Sequence, residues 1–407
     1  MSRVPEIRFK GFTDGWEQRK LGEVVKIKDS ARVPNVKWQT EGIPYLRSSD
    51  LNCDDKKDRL YLSLEDYLIY KSKTGAPEKG DMLFASGGEI GLAIYVENDS
   101  PIYVQGGSIL YTKTSKSKDL DGLYLKYSFE SPSIKSFIKR ASTGTSLKHF
   151  VLKQASSLPI CFPDISEQIS ISKLFENIDN TITLHQRKLE QLQQTKTAFL
   201  QKLFPKMGEH VPEVRFPEYN GKWESWKIKD IFSDIRSGNR LPKDKLTVGD
   251  IPYVIAQINN NGIYTRISAD TKDFNGNKMK LFEAPSITFS IDNPKAIFLQ
   301  VEPYFTSNIM RTLFHPSFNL YHYTFFLENL KKLVTYFDWS IKFSGPVVMN
   351  SYIMVPIIDN KIDLNEINAI GKFINNLDKE IMLVQKELNF LKQMKQGFLQ
   401  KMFPKGE

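Results

Sequence analysis

Cysteine is nearly absent from this chain of 407 residues, which contains only Cys53 and Cys161. Two cysteines so far apart in sequence argue against a disulfide scaffold and against a thiolate zinc site, and they fit a reducing compartment. Long apolar runs are absent as well. No segment approaches the roughly 18 apolar residues of a membrane helix, and residues 1–10 contain no apolar signal core. We therefore expect a cytoplasmic protein that does not enter a membrane.

Motifs for nucleotide hydrolysis, metal binding and methyl transfer are also missing. The glycine-rich residues 87–91 lack both the spacing of a dinucleotide loop and the Lys-Ser/Thr of a Walker A loop. The five histidines are scattered and form no HExxH motif or Cys/His ligand set. Residues 292–295 lack the second proline and the aromatic residue of the turn that grips adenine in amino-methyltransferases. These absences predict a chain without a catalytic centre, a metal site or a cofactor of its own.

Charge and composition describe a basic globular protein. The chain has 56 basic and 47 acidic residues, which gives a formal net charge of +9. That excess suits a polyanionic partner but does not identify one. The hydrophobic fraction of 41% is that of a globular protein, and the length allows two or three domains with separate cores.

Four short segments recur in the same order in the two halves of the chain. The offset between the copies is 207 or 208 for the first three and 199 for the last. Coincidence does not produce four collinear matches, so we interpret the chain as an internal duplication. The matched segments are residues 4–9 with 211–216, 16–17 with 223–224, 43–45 with 251–253 and 199–206 with 398–405.

The final segment of each half has the pattern of a long helix. Each begins with Asp followed three residues later by Glu, the arrangement of a capping box, and each stops at a proline. Between these limits the apolar positions alternate in steps of four and three, which is typical of a coiled coil. An ordinary amphipathic surface helix rarely keeps such a period over nearly five heptads. The capping pairs are Asp164 with Glu167 and Asp363 with Glu366, and the prolines are Pro205 and Pro404.

The two apolar stripes predict that the helices pack on each other through a seam. In a parallel pair, Lys196 would face Lys395 and bring like charges together. Antiparallel pairing puts Lys196 near Leu377 and Lys395 near Ile178, where each lysine can lay its methylenes on the apolar neighbour and extend its ammonium into water. We therefore expect an antiparallel rod about 60 Å long, in which His185 has a structural role. The predicted seam residues are Ile178, Ile182, Leu189, Leu192, Lys196, Leu377, Ile381, Leu388, Leu391 and Lys395.

The residues outside the long helices form two divergent globular halves. Each half combines short strand-like runs with one helical stretch, around residues 123–140 and 320–337. The shared order predicts the same α+β fold twice, related by an internal pseudo-two-fold repeat. The predicted strands are residues 82–85, 93–96, 109–111, 251–254, 286–289 and 296–299. The predicted domains are residues 1–163, the central helix 164–206, residues 207–362 and the C-terminal helix 363–407.

Polar, glycine-containing connections between the strands have the chemistry of DNA contacts. Base edges are read by Arg, Lys, Asn, Gln, Ser and Thr, and phosphates by the same groups and by backbone N–H. For any single loop, an ordinary solvated turn is the more economical interpretation. The candidates are Arg47, Ser48, Ser86, Gly87, Thr143, Thr145, Lys148, Arg236, Asn239, Arg240, Gln257, Asn259, Asn260, Lys342 and Ser344.

Two variable halves, each closed by a nearly identical helix, resemble the specificity (HsdS) subunits of Type I restriction-modification systems. The resemblance is carried by residues 5–9 and 212–216 with the Trp-Glu pairs that follow them, by residues 163–168, and by the repeated Phe-Leu-Gln-Lys-x-Phe-Pro ends. It covers essentially the whole chain. Its helical segments are specific, whereas target-recognition domains are expected to vary.

The resemblance implies a division of labour between subunits. Each target-recognition domain would read one half of a split, asymmetric site in double-stranded DNA, and the helices would fix an unread spacer of ordinary length. Two methylation (HsdM) subunits would bind S-adenosylmethionine and methylate adenine N6. Restriction (HsdR) subunits would use ATP and magnesium for translocation and cleavage. This chain itself would be non-catalytic and without cofactors.

Two other functional classes compete with this interpretation. The chain could be the specificity part of a fused modification-restriction enzyme, but its length and the missing motifs argue against that. It could also be a coiled-coil scaffold that binds protein alone, which the basic charge and the polar loops disfavour. A neighbouring reading frame with an Asn-Pro-Pro-Phe methyltransferase motif would separate the first interpretation from the scaffold.

Overall fold

The computed structural model describes residues 4–33, 36–52, 57–142, 148–206 and 208–405. The chain divides into two compact units, here called unit 1 (residues 1–186 with 386–407) and unit 2 (residues 187–385). Each unit contains part of both long helices. In the described part of the chain, no helix has the length and apolarity to cross a membrane.

The described residues of unit 1 form nine strands in three sheets. The strands are β1 (Glu17–Lys20), β2 (Ile27–Asp29), β3 (Ile43–Leu46), β4 (Leu60–Leu62), β5 (Met82–Ala85), β6 (Ala93–Tyr95), β7 (Tyr103–Val104), β8 (Ile109–Thr112) and β9 (Pro159–Phe162). The helices are α1 (Leu21–Val24), α2 (Leu64–Thr74), α3 (Gly122–Glu130), α4 (Pro132–Ala141), α5 (Leu152–Ser156) and the first part of α6 (Ile165–Lys202). The sheet orders are β2-β8-β5-β6, β4-β3-β7 and β1-β9, and the β3–β7 pair is parallel.

Unit 2 repeats this architecture. Its strands are β10 (Trp223–Lys227), β11 (Asp234–Ser237), β12 (Ile251–Val254), β13 (Ile263–Ile267), β14 (Ser286–Ser290), β15 (Ile297–Gln300), β16 (Phe305–Thr306), β17 (Met310–Phe314), β18 (Tyr352–Ile358) and β19 (Lys361–Ile362). Its helices are α7 (Ile228–Ile231), α8 (Leu320–Thr335), α9 (Gly345–Asn350) and the first part of α10 (Leu364–Lys401). The sheet orders β11-β17-β14-β15 and β13-β12-β16 match two sheets of unit 1 strand for strand, and the third sheet, β10-β18-β19, corresponds to β1-β9 with one added strand, β19. The predicted duplicated α+β fold is therefore confirmed.

One predicted helix is interrupted. The stretch around residues 123–140 forms α3 and α4, separated at Ser131. Pro132 occupies the first turn of α4, where its missing N–H costs no hydrogen bond, and the Ser131 hydroxyl accepts from the Ile134 N–H. A single helix through this position would place the proline ring against the preceding turn. The single-helix prediction is wrong here, whereas its counterpart in unit 2, α8, is continuous.

The repeated chain ends pack into the hydrophobic cores. Met402 and Phe403 belong to the core of unit 1, and the Phe403 ring contacts Trp16 edge-on with centroids 6.5 Å apart. Leu203 and Phe204 occupy the corresponding place in unit 2. Burying a large apolar side chain contributes about 1.5–3 kcal/mol to stability. The Leu/Met-Phe pair at each helix end is therefore an anchor of its core.

Within unit 1 the two long helices run antiparallel. Lys395 of α10 contacts Asp179 of α6 at 2.7 Å, and Glu387 of α10 lies 3.4 Å from His185 of α6. Partner numbers fall along one helix as they rise along the other, which defines the antiparallel direction.

Unit 2 shows the same direction independently. Lys188 contacts Glu380 at 3.2 Å, and the rings of Phe199 and Phe373 have centroids 4.8 Å apart. The ten predicted seam residues are all buried or partly buried, each within its own unit.

The two seam lysines do not extend their ammonium groups into water as expected. Lys395 contacts Glu130 and Asp179, each at 2.7 Å. Lys196 contacts Asp378 at 2.5 Å and lies 3.9 Å from Glu328. Their positions beside the opposite helix follow the antiparallel prediction. The prediction of solvated ammonium groups is wrong, because the opposite long helix supplies Asp179 and Asp378, and the globular parts add Glu130 and Glu328.

The predicted N-caps are confirmed for the two aspartates, but the predicted role of the two glutamates in capping boxes is wrong. The side chain of Asp164 accepts from the Glu167 N–H at 3.2 Å, and Asp363 accepts from the Glu366 N–H at 3.1 Å. The two glutamates are almost fully buried. Their carboxylates do not bind the N-cap N–H as in a capping box, but accept two hydrogen bonds each from an arginine of the repeated opening segments. The Arg8 guanidinium donates to Glu167 at 2.7 and 2.7 Å, and the Arg215 guanidinium donates to Glu366 at 2.8 and 2.7 Å.

The same opening segments also hold the end of a long helix. The Ile7 N–H donates to the Lys401 carbonyl at 3.0 Å in unit 1, and the Val214 N–H donates to the Lys202 carbonyl at 3.0 Å in unit 2. The repeated segments thus meet at one junction in each unit, which explains why both copies retain them.

Candidate nucleic-acid interface

Strand topology brings four loops of unit 1 to one edge. Ala85 at the end of β5 pairs with Ile109 at the start of β8, and Asp29 at the end of β2 pairs with Leu110. Strand β3 ends beside β7, to which it is parallel. The segments that follow β2, β3, β5 and β7 therefore meet. We call residues 30–33, 47–52, 86–92 and 105–108 the loop edge of unit 1.

Hydrogen bonds tie these loops together. The Gln105 N–H donates to the Leu46 carbonyl, and the Ser86 N–H donates to the Ser108 carbonyl, both at 2.8 Å. The Asn52 amide donates to Glu89 at 3.1 Å. A ligand that contacts one loop of this edge therefore lies next to the others.

Unit 2 forms the equivalent edge. Ser237 at the end of β11 pairs with Arg311, Ser290 at the end of β14 pairs with Met310, and β12 is parallel to β16. The loop edge of unit 2 comprises residues 238–241, 255–262, 291–296 and 307–309. Residues 341–345 join it, because the Phe343 N–H donates to the Ile291 carbonyl at 3.0 Å.

The candidates of unit 1 that the structure describes lie on or beside its loop edge, but two of them are not exposed. Ser86 is buried, and its hydroxyl donates to the Gly107 carbonyl at 3.1 Å. Gly87 is buried against His149, whose ring would lie 3.1 Å from an added Cβ. These two residues shape the loop and present no side chain to a ligand. Thr143 and Thr145 lie outside the described residues.

Most hydrogen-bond donors of the Arg47 side chain are used within unit 1, mainly by Asp50. Its side chain donates twice to Asp50, at 3.0 and 3.0 Å, and once to the Asp58 carbonyl at 2.9 Å. Burial would raise the pKa of Asp50, but the hydrogen bonds from the Arg47 side chain and backbone hold that pKa below its usual value. Few donors of Arg47 remain for an external ligand.

A cleft of about 720 Å³ opens beside the glycine loop of unit 1. It is lined by residues 88–93 and by three exposed lysines, Lys135, Lys139 and Lys148. Ser48 stands next to the same loop, with its hydroxyl 3.3 Å from where a Cβ of Gly88 would be. Among these, Lys148 and Ser48 were anticipated from the sequence. The α4 lysines were not, although their spacing of four residues places them on one helix face.

In unit 2 a tight turn carries three of the predicted candidates. The Gln257 side chain donates to the Ile263 carbonyl at 2.8 Å, and the Asn260 side chain donates to the same carbonyl at 3.3 Å. Asn260 has a φ of 51°, a conformation that asparagine tolerates better than most residues. Asn259 is exposed at the start of this turn. The turn therefore presents amide groups while its own backbone is satisfied.

Two further loops complete the edge of unit 2. Asn239 is tied down on both sides, since it donates to Asp273 at 2.8 Å and accepts from the Lys280 N–H at 2.9 Å. Arg240, its neighbour, is exposed. Lys342 is exposed and lies 3.3 Å from Asp292, and Ser344 precedes α9. These positions agree with a surface that mixes cations and amides.

Arg236 does not reach this edge. It lies within β11, pairs with Thr312 of β17 in register, and its side chain contacts Asp234. The end of β11 is hard to predict from the sequence, because residues 236–240 are all small or polar and suit either an exposed strand or a loop.

A basic segment of unit 2 was missed from the sequence. Residues 271–280 form a turn that carries the half-exposed ring of Phe274. Lys245 lies 5.7 Å from the centroid of this ring. The turn and the segment before it carry further exposed lysines, which are Lys243, Lys272, Lys278 and Lys280. An aromatic residue within a lysine-rich, Asn-Gly-containing stretch was the available signal.

The comparisons with known proteins agree on one family. The family described as "Type I restriction modification DNA specificity domain" matches residues 13–194 and 220–393, one match for each half of the chain. The MjaVIII specificity subunit, a Type I restriction enzyme subunit of Methanocaldococcus jannaschii, is 27% identical over 241 residues, which are 58% of this chain and 51% of that protein. The putative MjaX specificity subunit of the same organism is 25% identical over 231 residues, 54% of this chain and 52% of that protein.

The chain thus spans about half the length of these curated relatives. Among solved structures, the S subunit of a Type I restriction-modification system from M. genitalium has the same fold. It superimposes with a TM-score of 0.66 at 17% identity, over 98% of this chain and 99% of that one.

Proposed function

The chain belongs to the Type I restriction-modification DNA specificity family, and we propose that it reads a split, asymmetric DNA site with one loop edge per half-site. The observation that carries this proposal is the contrast between the two copies. Both units keep the same sheets and the same Arg–Glu junction, while the residues on their loop edges differ. A duplicated framework with two different surfaces suits a protein that must present two different readers.

The composition of the loop edges supports duplex DNA as the ligand. In unit 1, Lys135, Lys139 and Lys148 line the cleft beside the loop edge, and in unit 2 the turn with Asn259 and Asn260 lies on the same edge as Arg240 and Lys342. Lysines contact phosphates, and amides pair with base edges in the major groove. The net charge of +9 favours the same ligand.

We further propose that methylation and cleavage are performed by partner subunits, two for methylation and others for restriction. The long helices carry large apolar side chains that this chain leaves exposed, such as Leu184 and Phe390 of unit 1, each 64% exposed, and Met382 of unit 2. These side chains are available for contacts with partner subunits. S-adenosylmethionine, ATP and magnesium would then be bound by the partners.

Sequencing of N6-methyladenine tests this function directly. The chain would be produced with the methyltransferase subunit encoded beside it, and the methylated positions mapped across the genome of the host. We expect one bipartite motif with two different half-sites. Replacing residues 207–362 by the corresponding domain of another family member should change one half-site and leave the other intact. A change in both half-sites, or no defined motif, would contradict the modular model.

The role of the long helices as a spacer is tested separately. Each has 38 residues, so seven extra residues lengthen a helix by about 10 Å, or roughly three base pairs. A heptad inserted after Leu192 in α6, together with one after Glu380 in α10, keeps the 3.5-residue period on both sides of the seam. We expect the spacer of the methylated motif to lengthen while the half-sites stay the same. An unchanged spacer would exclude this role, and insertion into α6 alone is the control that breaks the seam register.

A further inference from the structure

An arginine occupies the same place in the loop after β2 and in the loop after β11. Arg32 is followed by Val33 and Pro34, and Arg240 by Leu241 and Pro242, so the two copies share Arg-(Val/Leu)-Pro. The offset of 208 is the one that also relates β3 to β12. The residues just before the arginines differ, Ser-Ala in one loop and Gly-Asn in the other. We call Arg32 and Arg240 the paired arginines.

In unit 1, the Arg32 side chain lies against the backbone of Gly107. Arg32 is exposed, and one of its terminal nitrogens lies 3.3 Å from where a Cβ on Gly107 would stand. Gly107 has a φ of +77°, and its N–H donates to Asp29 at 2.9 Å. The guanidinium therefore lies across a glycine, where a side chain would meet it, and the φ of this glycine disfavours other residues.

In unit 2, an aromatic ring supports the arginine. The guanidinium carbon of Arg240 lies 4.5 Å from the centroid of Phe274, whose side chain is 49% exposed. The Phe274 N–H donates to the Arg240 carbonyl at 2.8 Å, and Asn239 donates to Asp273 at 2.8 Å. The ring is thus fixed to the arginine loop. Stacking of this kind orients the planar guanidinium and leaves its edge donors free.

The paired arginines lack the ion pairs that several other arginines form. Arg47, Arg236 and Arg266 each form an ion pair with a carboxylate. Within the described residues, Arg32 and Arg240 form none. Each loop edge therefore holds an oriented cation with unoccupied donors.

We propose that Arg32 and Arg240 are matched contacts to DNA phosphates, one in each unit, and do not read bases. This inference rests on the proposed function. The two half-sites differ in their bases but share the same sugar-phosphate backbone. A residue that is retained in both units is therefore suited to contact that backbone. Packing does not explain its retention, because the supports are different in the two units. The guanidinium fork binds phosphate oxygens in pairs, and lysines around Phe274 strengthen the local positive potential.

The test measures DNA binding by the full chain with alanine and lysine at each arginine. The probes are a duplex that carries the mapped methylation motif and a duplex of the same length with that motif shuffled, each titrated at several salt concentrations. Arg266→Ala is the control, because it removes the same charge from an exposed arginine. Arg266 pairs with Pro252 near the start of β12, at the end away from the loop edge. Circular dichroism verifies that each variant is folded.

We expect R32A and R240A each to weaken binding to both duplexes by a similar factor, roughly tenfold. Each should reduce the slope of log K against log salt by about 0.9, the value for one lost phosphate contact. R32K and R240K should keep the salt slope and part of the affinity, because lysine retains the charge but not the paired hydrogen bonds of the guanidinium, and the methylated motif should stay the same. R266A should change the slope much less.

Loss of affinity for the motif duplex alone, a changed base in the methylated motif, or an unchanged salt slope would overturn the proposal. If the unaltered chain binds both duplexes equally and the slopes shift as expected, the proposed sequence recognition fails while the phosphate contacts stand. If it binds neither duplex, both are overturned.

Discussion

The two units are most alike in their sheets and least alike in the segment that links β4 to β5 and β13 to β14. In unit 1 this segment starts with Ser63 and forms helix α2. In unit 2 it starts with Ser268 and forms irregular turns around Gly276, whose φ is +82°. The strands before and after this segment pair in the same order in both units. The fold therefore tolerates large differences next to a loop edge, provided that the strands keep their pairing and the junctions keep their residues.

The reason for this tolerance is where the free energy of folding lies. Each junction buries a charged pair and the anchor residues of a helix end, so substitutions there affect a whole core. Surface connections contribute less, since their backbone is exposed to solvent. The predictions below test whether equivalent positions in the two units are energetically equivalent.

The largest effect is expected at the buried Arg–Glu pairs. Arg8→Ala leaves Glu167 buried without a charged partner, which should lower the free energy of unfolding by about 3–5 kcal/mol. Arg215→Ala should cost less, because Glu366 keeps a hydrogen bond of 3.3 Å from the Trp223 indole N–H. Urea denaturation followed by circular dichroism measures both. Equal losses would show that the indole bond does not stabilise the carboxylate.

A smaller effect is expected at the seam lysine of unit 1. Lys395→Met removes contacts to Glu130 and Asp179 and should cost about 1–3 kcal/mol near neutral pH, moderated because Lys126 also lies near both carboxylates. Burial would lower the pKa of Lys395, but Glu130 and Asp179 raise it above its usual value of 10.5. The stabilisation should therefore be complete below pH 10.5 and disappear as the pH rises through the higher folded-state pKa.

Unfolding free energies measured between pH 7 and 11.5 for the unaltered chain and Lys395→Met check this prediction. Their difference should shrink above pH 10.5. Lys392→Met is the control, because Lys392 is exposed on the same helix. A difference that persists unchanged at the highest pH would exclude the ion pairs as its source.

The two repeated tryptophans give a matched comparison of a satisfied and an unsatisfied indole. Trp223 donates to Glu366, whereas the buried Trp16 N–H has no partner among the described residues. Both Trp→Phe substitutions lose similar packing. Trp223→Phe should cost about 1–2 kcal/mol more than Trp16→Phe, since only the former removes a hydrogen bond to a buried carboxylate. Equal losses of unfolding free energy in the two variants would argue against this assignment.

The smallest effect concerns the divergent segment itself. The Ser63 hydroxyl accepts from the Asp66 N–H at 3.0 Å and caps α2, so Ser63→Ala should cost about 1 kcal/mol. Ser268 is the equivalent residue of unit 2 and precedes no helix, so Ser268→Ala should change stability by less than about 0.5 kcal/mol. Urea denaturation of the two variants side by side checks the difference. A larger loss for Ser268→Ala would mean that the irregular segment is ordered by this serine.

Much of the fold was predictable because it repeats. The duplicated segments, the strands and the 4-3 spacing of the long helices all follow local rules of period and capping, and the structure and the family comparison confirm the fold class and the family. The direction of the helix pair followed from two lysines that cannot face each other. The break at Ser131 was missed because the apolar pattern continues across it.

The loop-edge residues were harder to predict. Residue type alone identified side chains that are able to contact DNA. Ser86 and Gly87 are buried whereas Lys148 is exposed, and this difference depends on strands that are distant in sequence. Arg32 was missed because nothing local distinguishes an oriented arginine from an ordinary surface residue, and the lysine-rich stretch around Phe274 was the one local signal left unused. The assignment of DNA contacts stays a prediction until binding is measured.

The sequence by itself determined that this protein is a duplicated α+β chain with two long capped helices, because periodicity, capping and repetition are properties of neighbouring residues. The tertiary structure alone decided what the repeated residues do. Arg8 and Glu167 are 159 positions apart, and a buried carboxylate takes whichever cation the fold brings to it. The same holds for the two loop edges, where strand pairing between remote segments decides which polar groups face outward together.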